Sequence, residues 1–329
     1  MRWLILLTLL FATAPNLTWA QISGPTDFSN LVTNQTATEV FLEFQPEFPE
    51  PGSTFTVRVN DYALVEQAIG YRWYIDGKIL PEATNRRLQT FTAVEANQEM
   101  KIEVGIITAG GRETRFSRTL KPMHLDIIIE PQTRIPAFYR GRALPSAFST
   151  VNAVALVNGG EVDPRNLSFT WNLDNKVLED GVIFGRPTVS FKMPQGQAAI
   201  LSVTISDRSG MSLARKVWQI PVLEPRLFFY EINPSLGLKP RRLTSPTHII
   251  GPVLNLRAEP FYLDLNTFNN PDHLEWKLDG QPIELAGGNP YDLTLSPTPG
   301  TRGTSRLELH VRNLTQLLQG VKGQIMITN

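Results

Sequence analysis

Four histidines, His124, His248, His273 and His310, are the residues of this chain best suited to bind a metal or transfer protons. No two of them stand at the spacing of a metal-binding pair, and no HExxH motif occurs. Phosphate-binding glycine loops and the GxSxG nucleophile motif are absent as well. The chain has no cysteine, which excludes disulfides, thiolate metal sites and a cysteine nucleophile. These observations predict a protein that is not an enzyme and that has no cofactor and no metal site.

Two segments combine arginine with apolar residues, and each follows the first strand of a predicted structural unit. They read FYRGRALPS and LKPRRLTS. The favoured interpretation is that the arginines protect an edge strand from pairing with another sheet. The alternative is that they contact an anionic envelope polymer or an acidic protein, because the planar guanidinium grips carboxylate or phosphate through paired hydrogen bonds. The candidate contact residues are Tyr139, Arg140, Arg142, Arg241 and Arg242.

A stretch of eight residues that occurs three times indicates the β-strands that must position these segments. Its copies are YRWYIDGK, FTWNLDNK and LEWKLDGQ. Apolar and polar residues alternate in each copy, which is the pattern of a β-strand with one buried face. Trp73, Trp171 and Trp276 alternate in step with apolar neighbours, so we expect all three in the core rather than exposed as sugar-stacking platforms. The Asp-Gly or Asp-Asn pair that follows is typical of a tight hairpin turn.

Other aromatic and histidine positions follow from the same alternation. Trp218, near the end of the second repeat, is also expected in the core. Tyr74 points to the opposite face from Trp73 and is expected to be the exposed aromatic residue of the first repeat. His310 is expected to face solvent.

Further short strands accompany each Trp at nearly constant spacing. An alternating strand precedes the Trp, a short one follows it, and two longer ones close the repeat. Turn residues separate these strands and little helix is indicated. Each repeat therefore predicts an antiparallel β-sandwich.

The mid-domain Trp strand resembles strand C of immunoglobulin-like and PKD-like sandwiches. The chain is similar to tandem bacterial repeat proteins of this kind, including uncharacterised secreted proteins of small-genome bacteria. It lacks the two cysteines that flank this Trp in antibody-type domains, and it lacks the GDG signature of PKD domains. The resemblance implies a fold and an extracellular compartment, and it implies no catalytic residues.

The N-terminal segment predicts export. Arg2 precedes an apolar run, and small residues then lead to a cleavage site after Ala20, as in a secretory signal peptide. Retention of this segment as an anchor is the alternative. The mature chain is expected to be secreted, periplasmic or on the cell surface, with no membrane span. The predicted organisation is a signal peptide over residues 1–20, a flexible leader over 21–38, and Ig-like domains over 39–122, 123–223 and 224–329.

The charge of the chain limits its partners. Acidic and basic residues balance to a formal net charge of zero, so no field favours nucleic acid. A protein or an envelope polymer is the expected partner. The predicted function is a non-catalytic spacer, adhesion or assembly module of the envelope. The alternatives are a module that binds an envelope polysaccharide and an enzyme with a site built from loops.

Calcium is predicted not to stabilise the protein. Asp126 and Glu130 flank the first predicted junction and Glu224 and Glu231 the second, without the clustered carboxylates that calcium requires. Adding EDTA should therefore leave the melting temperature unchanged in a thermal unfolding experiment. A decrease of several degrees, reversed by calcium and not by magnesium, would contradict this expectation.

Overall fold

The computed structural model describes residues 40–329 except 65, 97, 159–162, 179–181, 286, 298–299 and 301. The predicted signal peptide and leader lie outside the described residues. Within these residues, no helix has the length and apolar character needed to cross a membrane.

The first unit consists of two facing antiparallel sheets. One sheet has the order β1-β2-β5 and the other has the order β4-β3-β6-β7. A 3₁₀ turn at Pro81–Ala83 follows β4. The strands are β1 (Phe41–Gln45), β2 (Thr54–Asn60), β3 (Ala68–Ile75), β4 (Lys78–Leu80), β5 (Leu88–Thr92), β6 (Met100–Thr108) and β7 (Glu113–Leu120).

The second unit repeats this topology. Its sheets have the orders β13-β9-β8 and β11-β10-β14-β15, and β12 also pairs with β10. A 3₁₀ turn at Pro164–Asn166 precedes β10. The strands are β8 (His124–Pro131), β9 (Thr150–Asn158), β10 (Ser168–Leu173), β11 (Lys176–Val177), β12 (Ile183–Phe184), β13 (Thr188–Lys192), β14 (Ala198–Ser206) and β15 (Ser212–Pro221).

The third unit adds one edge strand to each sheet. The orders are β17-β16-β19-β22 and β18-β24-β23-β20-β21, and the short β18 pairs with β24 in parallel. A helix, α1 (Leu265–Asn269), follows β19. The strands are β16 (Arg226–Asn233), β17 (Gly237–Arg242), β18 (Thr247–His248), β19 (Leu254–Phe261), β20 (His273–Leu278), β21 (Gln281–Ile283), β22 (Asp292–Leu295), β23 (Thr304–Arg312) and β24 (Gly320–Thr328).

The strand order is that of an immunoglobulin-like sandwich, in which the first, second and fifth strands face the third, sixth and seventh. The prediction of an all-β chain with three tandem antiparallel sandwiches is confirmed. The buried apolar residues form three separate clusters, one between the two sheets of each unit.

A tryptophan lies at the centre of each cluster. Trp73 and Trp171 are fully buried and Trp276 is 1% exposed. Each stands directly opposite an apolar residue of the long strand β6, β14 or β23 of its unit, so the three cores are built on the same cross-strand pair. The pairs are Trp73 with Val104, Trp171 with Val203, and Trp276 with Leu309.

The aspartate after each Trp strand has a second role beyond the turn. Asp76, Asp174 and Asp279 all have positive φ, as the predicted hairpin turns require. Their Oδ1 atoms also accept a hydrogen bond from the backbone N–H of Lys101, Ile200 and Arg306, at 2.8, 2.8 and 2.7 Å. The side chain thus ties the turn to the start of β6, β14 and β23 in the three units.

Tyr74 is buried, not exposed as the alternation predicts. Its side chain points away from the core, but the guanidinium of Arg115 lies 4.1 Å from the ring centroid and donates a hydrogen bond of 3.0 Å to the hydroxyl. Glu113 accepts a hydrogen bond from that hydroxyl at 3.2 Å. Long charged side chains therefore cover this outer face and leave the tyrosine 7% exposed.

Substituting Trp171→Ala should lower the free energy of unfolding of the second unit by about 3–5 kcal/mol, because it leaves a large cavity in a closed core. Urea unfolding followed by circular dichroism measures the loss. Val177→Ala, in the same unit at a side chain 52% exposed, is the matched control and should change little. A loss below about 1 kcal/mol for Trp171→Ala would contradict the assigned core.

Candidate functional site

A long loop, residues 132–149, joins β8 to β9 and carries three of the five predicted contact residues. Loops longer than about 12–15 residues in compact domains commonly serve a function. This loop lies against the third unit on one side and lines a groove of its own unit on the other. It is the candidate functional site.

The start of the loop pairs with the backbone of the third unit. Arg134 N–H donates to Leu263 O at 2.7 Å, and Tyr262 N–H donates to Arg134 O at 2.7 Å. Leu265 N–H donates to Gln132 O at 2.9 Å. The two units are therefore joined by a short antiparallel ladder as well as by the covalent chain.

Two buried polar side chains fix the same contact. Asp264 is 4% exposed and begins α1, where its Oδ1 accepts hydrogen bonds from helix N–H groups. Its Oδ2 accepts a hydrogen bond from Thr150 N–H of the second unit at 3.1 Å. Gln319 is fully buried, and its Oε1 accepts from Asp264 N–H at 3.1 Å. The Gln319 amide nitrogen donates to Ser146 Oγ at 3.1 Å and to Ala147 O.

An ion pair closes the interface beside these residues. Arg134 Nη2 lies 2.9 Å from Glu259 Oε2, and the Glu259 side chain is 3% exposed. The Arg134 guanidinium also lies 4.6 Å from the ring centroid of Phe268. A charged carboxylate this deeply buried is tolerable only because a cation compensates it.

Aromatic side chains cover the outer face of the first sheet of the third unit. Phe138 packs on Tyr230 with ring centroids 4.9 Å apart, and Tyr139 packs edge-on against Phe261 at 5.4 Å. The hydroxyls of Tyr139 and Tyr262 are 3.0 Å apart. Burial and this hydrogen bond raise the pKa of Tyr262 to about 12. The side chain of Tyr139 thus contacts residues of the third unit, and 37% of the residue is still exposed.

The remaining predicted contact residues are exposed. Arg140 and Arg142 follow Tyr139 on the loop, and neither has an ion pair among the described residues. Arg241 and Arg242 end β17, an edge strand, as the edge-protection interpretation requires. The Arg242 guanidinium lies 5.5 Å from the ring centroid of Phe228. Their contact with an anionic partner stays a prediction.

Three of the four arginines, Arg142, Arg241 and Arg242, border grooves. Arg241 and Arg242 line a wide groove of about 710 Å³ in the third unit, together with Lys239 and His248. Arg142 lines a narrower groove of about 330 Å³ in the second unit, together with Trp218. Trp218 is 36% exposed and does not belong to the core cluster of the second unit, so the expectation that it lies in the core is wrong. Its side chain faces inward, but β15 is an edge strand and no further strand covers it.

The histidines form no metal site in the described part of the chain, where no group of three or more metal-ligating side chains occurs. The rings of His273 and His310 are 6.5 Å apart. Burial, together with Arg312, Lys322 and His273, lowers the pKa of His310 below its usual value. His310 is only partly accessible to solvent, in contrast to the expectation from alternation.

Sequence reasoning did not find the residues that join the two units. Arg134, Glu259, Asp264 and Gln319 belong to no motif, and their partners in the other unit lie more than a hundred positions away. One signal was available for Asp264, because an aspartate before a short helical stretch is a common N-cap.

Comparisons with known proteins fall into two groups. A scan against models of protein families found no match, and a search of curated proteins found none either. Solved structures similar to this chain include the fibronectin(III)-like modules of Clostridium thermocellum CbhA. That match has 13% identity over 56% of this chain and 94% of that one, with a TM-score of 0.28.

Two further structures each match 88% of this chain. The three N-terminal domains of the bacteriophage RB49 capsid protein Hoc have 13% identity, 97% coverage of that chain and a TM-score of 0.26. Bacteroides ovatus SGBP-B, solved with a mixed-linkage heptasaccharide, has 11% identity, 70% coverage of that chain and a TM-score of 0.23. With scores this low, the fold assignment depends on the strand order described above and not on these matches.

Substituting Arg134→Met should lower the free energy of unfolding by about 3 kcal/mol, because it leaves the Glu259 carboxylate buried without a compensating charge. The double variant Arg134→Met/Glu259→Gln should recover a large part of this loss. Lys239→Met is the control, since Lys239 and its partner Glu231 are 44% and 37% exposed and such pairs contribute at most about 1 kcal/mol. Equal losses in the single and double variants, measured by urea unfolding, would contradict the assigned role of the pair.

Proposed function

We propose that this protein is a non-catalytic module of the cell envelope or the extracellular space, and that it acts as a spacer in adhesion or assembly. Its predicted domains, 39–122, 123–223 and 224–329, are the modules of the spacer, and its predicted signal peptide exports it. A spacer must hold its ends in a defined relation. The interface between the second and third units is the observation that carries this proposal.

That interface supplies rigidity through direction-dependent contacts. The Asp264 carboxylate accepts hydrogen bonds from N–H groups of both units, and the Gln319 amide uses its oxygen in one unit and its nitrogen in the other. Hydrogen bonds weaken steeply when their geometry is distorted. Rotation of one unit against the other would leave these buried groups unpaired, which costs about 1–3 kcal/mol for each group.

The contact between the first and second units is of a different kind. Lys216 Nζ lies 2.9 Å from Glu50 Oε1 of the first unit and 3.8 Å from Asp126 Oδ1 of its own unit. These side chains are between 30% and 66% exposed. An ion pair of this exposure contributes little and allows several geometries. The proposed spacer therefore has one stiff joint and one softer joint.

The absence of native cysteines allows the joint to be tested directly. Positions 190 and 324 are both exposed. Spin labels attached to Ser190→Cys and Gln324→Cys report the distance between the second and third units by pulsed electron paramagnetic resonance. We expect one narrow distance distribution, which Gln319→Ala should broaden while lowering the free energy of unfolding by about 1–3 kcal/mol.

Gln316→Ala, on the same loop, is the matched control, because Gln316 enters the hydrogen bonds of this loop through its backbone. A second control places both labels within the second unit, on Ser190→Cys and Arg215→Cys, where the distribution should not change with either variant. A broad distribution between the units of the unaltered protein would contradict the rigid joint and with it the proposed spacer.

A further inference from the structure

The groove beside Trp218 lies at an open edge of the second sandwich. Its walls come from β8 and β15, which are edge strands of opposite sheets, and residues 142–144 of the long loop close one side. Trp218 stands opposite the buried Leu201, so its indole points between the sheets. Because both sheets end here, part of the indole faces the groove and not another side chain.

The lining of the groove combines an apolar surface with a few polar groups. Ile129, Pro131, Leu144 and Pro221 line the groove together with Trp218. Arg142 and Glu130 supply charged groups, and Gln219 also lines the groove. Neither Arg142 nor Glu130 has an ion-pair partner in the described part of the chain, and they do not pair with each other. Their charges cancel, so the groove offers hydrogen-bond donors and acceptors without a net charge.

A strand-like peptide is poorly suited to this groove. The strands that form its walls both end in proline, at Pro131 and Pro221. Proline has no N–H to donate to an added strand, and it blocks pairing at sheet edges. A polyproline peptide would need several aromatic side chains along an extended groove, whereas Trp218 is the one aromatic residue among the described residues that line this groove.

We propose that this groove binds one ring of an uncharged glycan. A sugar ring has a face of C–H groups, which the exposed indole of Trp218 contacts, and a rim of hydroxyls that both donate and accept hydrogen bonds. Arg142 donates to one hydroxyl and Glu130 accepts from another. A volume of about 330 Å³ is near the lower end of ligand sites, which begin at about 300 Å³. The inference goes beyond the proposed spacer role and does not depend on the rigid joint.

Arg142 and Arg140 lie close together in the sequence, but the proposal gives a ligand contact to Arg142 alone. Arg142 belongs to the groove lining and Arg140 does not. Gly141, which separates them, is in contact with the ring of Tyr139, where an added Cβ would lie 2.5 Å from the ring. The glycine therefore lets the loop turn closely around Tyr139, so that Arg142 reaches the groove while Arg140 stays in solvent.

The full mature chain is first applied to an array of neutral glycans, uronic-acid polymers and proline-rich peptides. We expect binding to at least one neutral glycan. Titration calorimetry with that oligosaccharide then compares variants. Trp218→Ala should raise the dissociation constant by about tenfold or more, as for an aromatic anchor in a binding pocket. Arg142→Ser should weaken binding as well. The dissociation constant of the unaltered protein should not depend on salt, since the ligand carries no charge to screen.

Two matched controls accompany these variants. Val217→Ala lies on the same strand on the opposite face and is 53% exposed, and Arg140→Ser lies on the same loop outside the groove. Both should bind as the unaltered protein does. Circular dichroism shows whether Trp218→Ala unfolds the second unit. If it does, Arg142→Ser alone tests the inference, because Arg142 is exposed and its substitution should not affect folding.

Several results would overturn the inference. These are an array with no neutral glycan bound, binding confined to uronic acids or to proline-rich peptides, and neutral-glycan binding that Trp218→Ala and Arg142→Ser leave unchanged in folded protein. The distance measurement on the joint is a separate experiment, so failure of either proposal leaves the other standing.

Discussion

The burial of one tryptophan between two sheets is the interaction on which each unit of this protein depends. The chain has no cysteine, so the disulfide that links the two sheets in antibody domains is not available. Apolar contact must therefore hold the sheets together. Trp73, Trp171 and Trp276 are all at most 1% exposed, and each contributes the largest apolar side chain of its core. The aspartate of the following turn then ties the tryptophan strand to β6, β14 or β23 of its unit.

The interface between the second and third units follows a different principle. Apolar contacts are not directional and tolerate sliding, whereas buried hydrogen bonds require one geometry. Asp264 and Gln319 are buried and fully used in such bonds. Their contribution to net stability is modest, because hydrogen bonds with water are given up when they form. Their contribution to orientation is large, because a different orientation of two units still in close contact leaves polar groups buried and unpaired.

The long loop between β8 and β9 connects the joint with the groove. Its first residues form the ladder with the third unit, and residues 142–144 line the groove beside Trp218. A hydrogen bond of 2.9 Å from Thr133 Oγ1 to Leu144 O links these two parts. Ser146 and Ser149, both fully buried, fix the end of the loop through mutual hydrogen bonds. The groove is thus held in shape before a ligand enters, and such preorganisation reduces the entropy lost on binding.

The fold of each unit was determined by local pattern in the sequence. Alternation around Trp73, Trp171 and Trp276 specifies which face is buried, and the Asp-Gly and Asp-Asn pairs specify the turns, because both effects act over a few residues. For Tyr74 and Trp218, the local pattern did not predict the exposure of the side chain. Alternation reveals the direction of a side chain but not what covers it, and Arg115 covers Tyr74 while the end of the sheet uncovers Trp218.

Only the tertiary structure decided how the units meet. Arg134 and Glu259 are 125 positions apart, and Gln319 and Ser146 are 173 apart. No periodicity links residues at such separations, and a lone arginine or glutamine is most often a solvated surface residue. These side chains acquire their partners when two finished sandwiches pack together. The sequence therefore determined the three cores through short-range pattern, and the joint and the groove arose from contacts that exist only in the assembled chain.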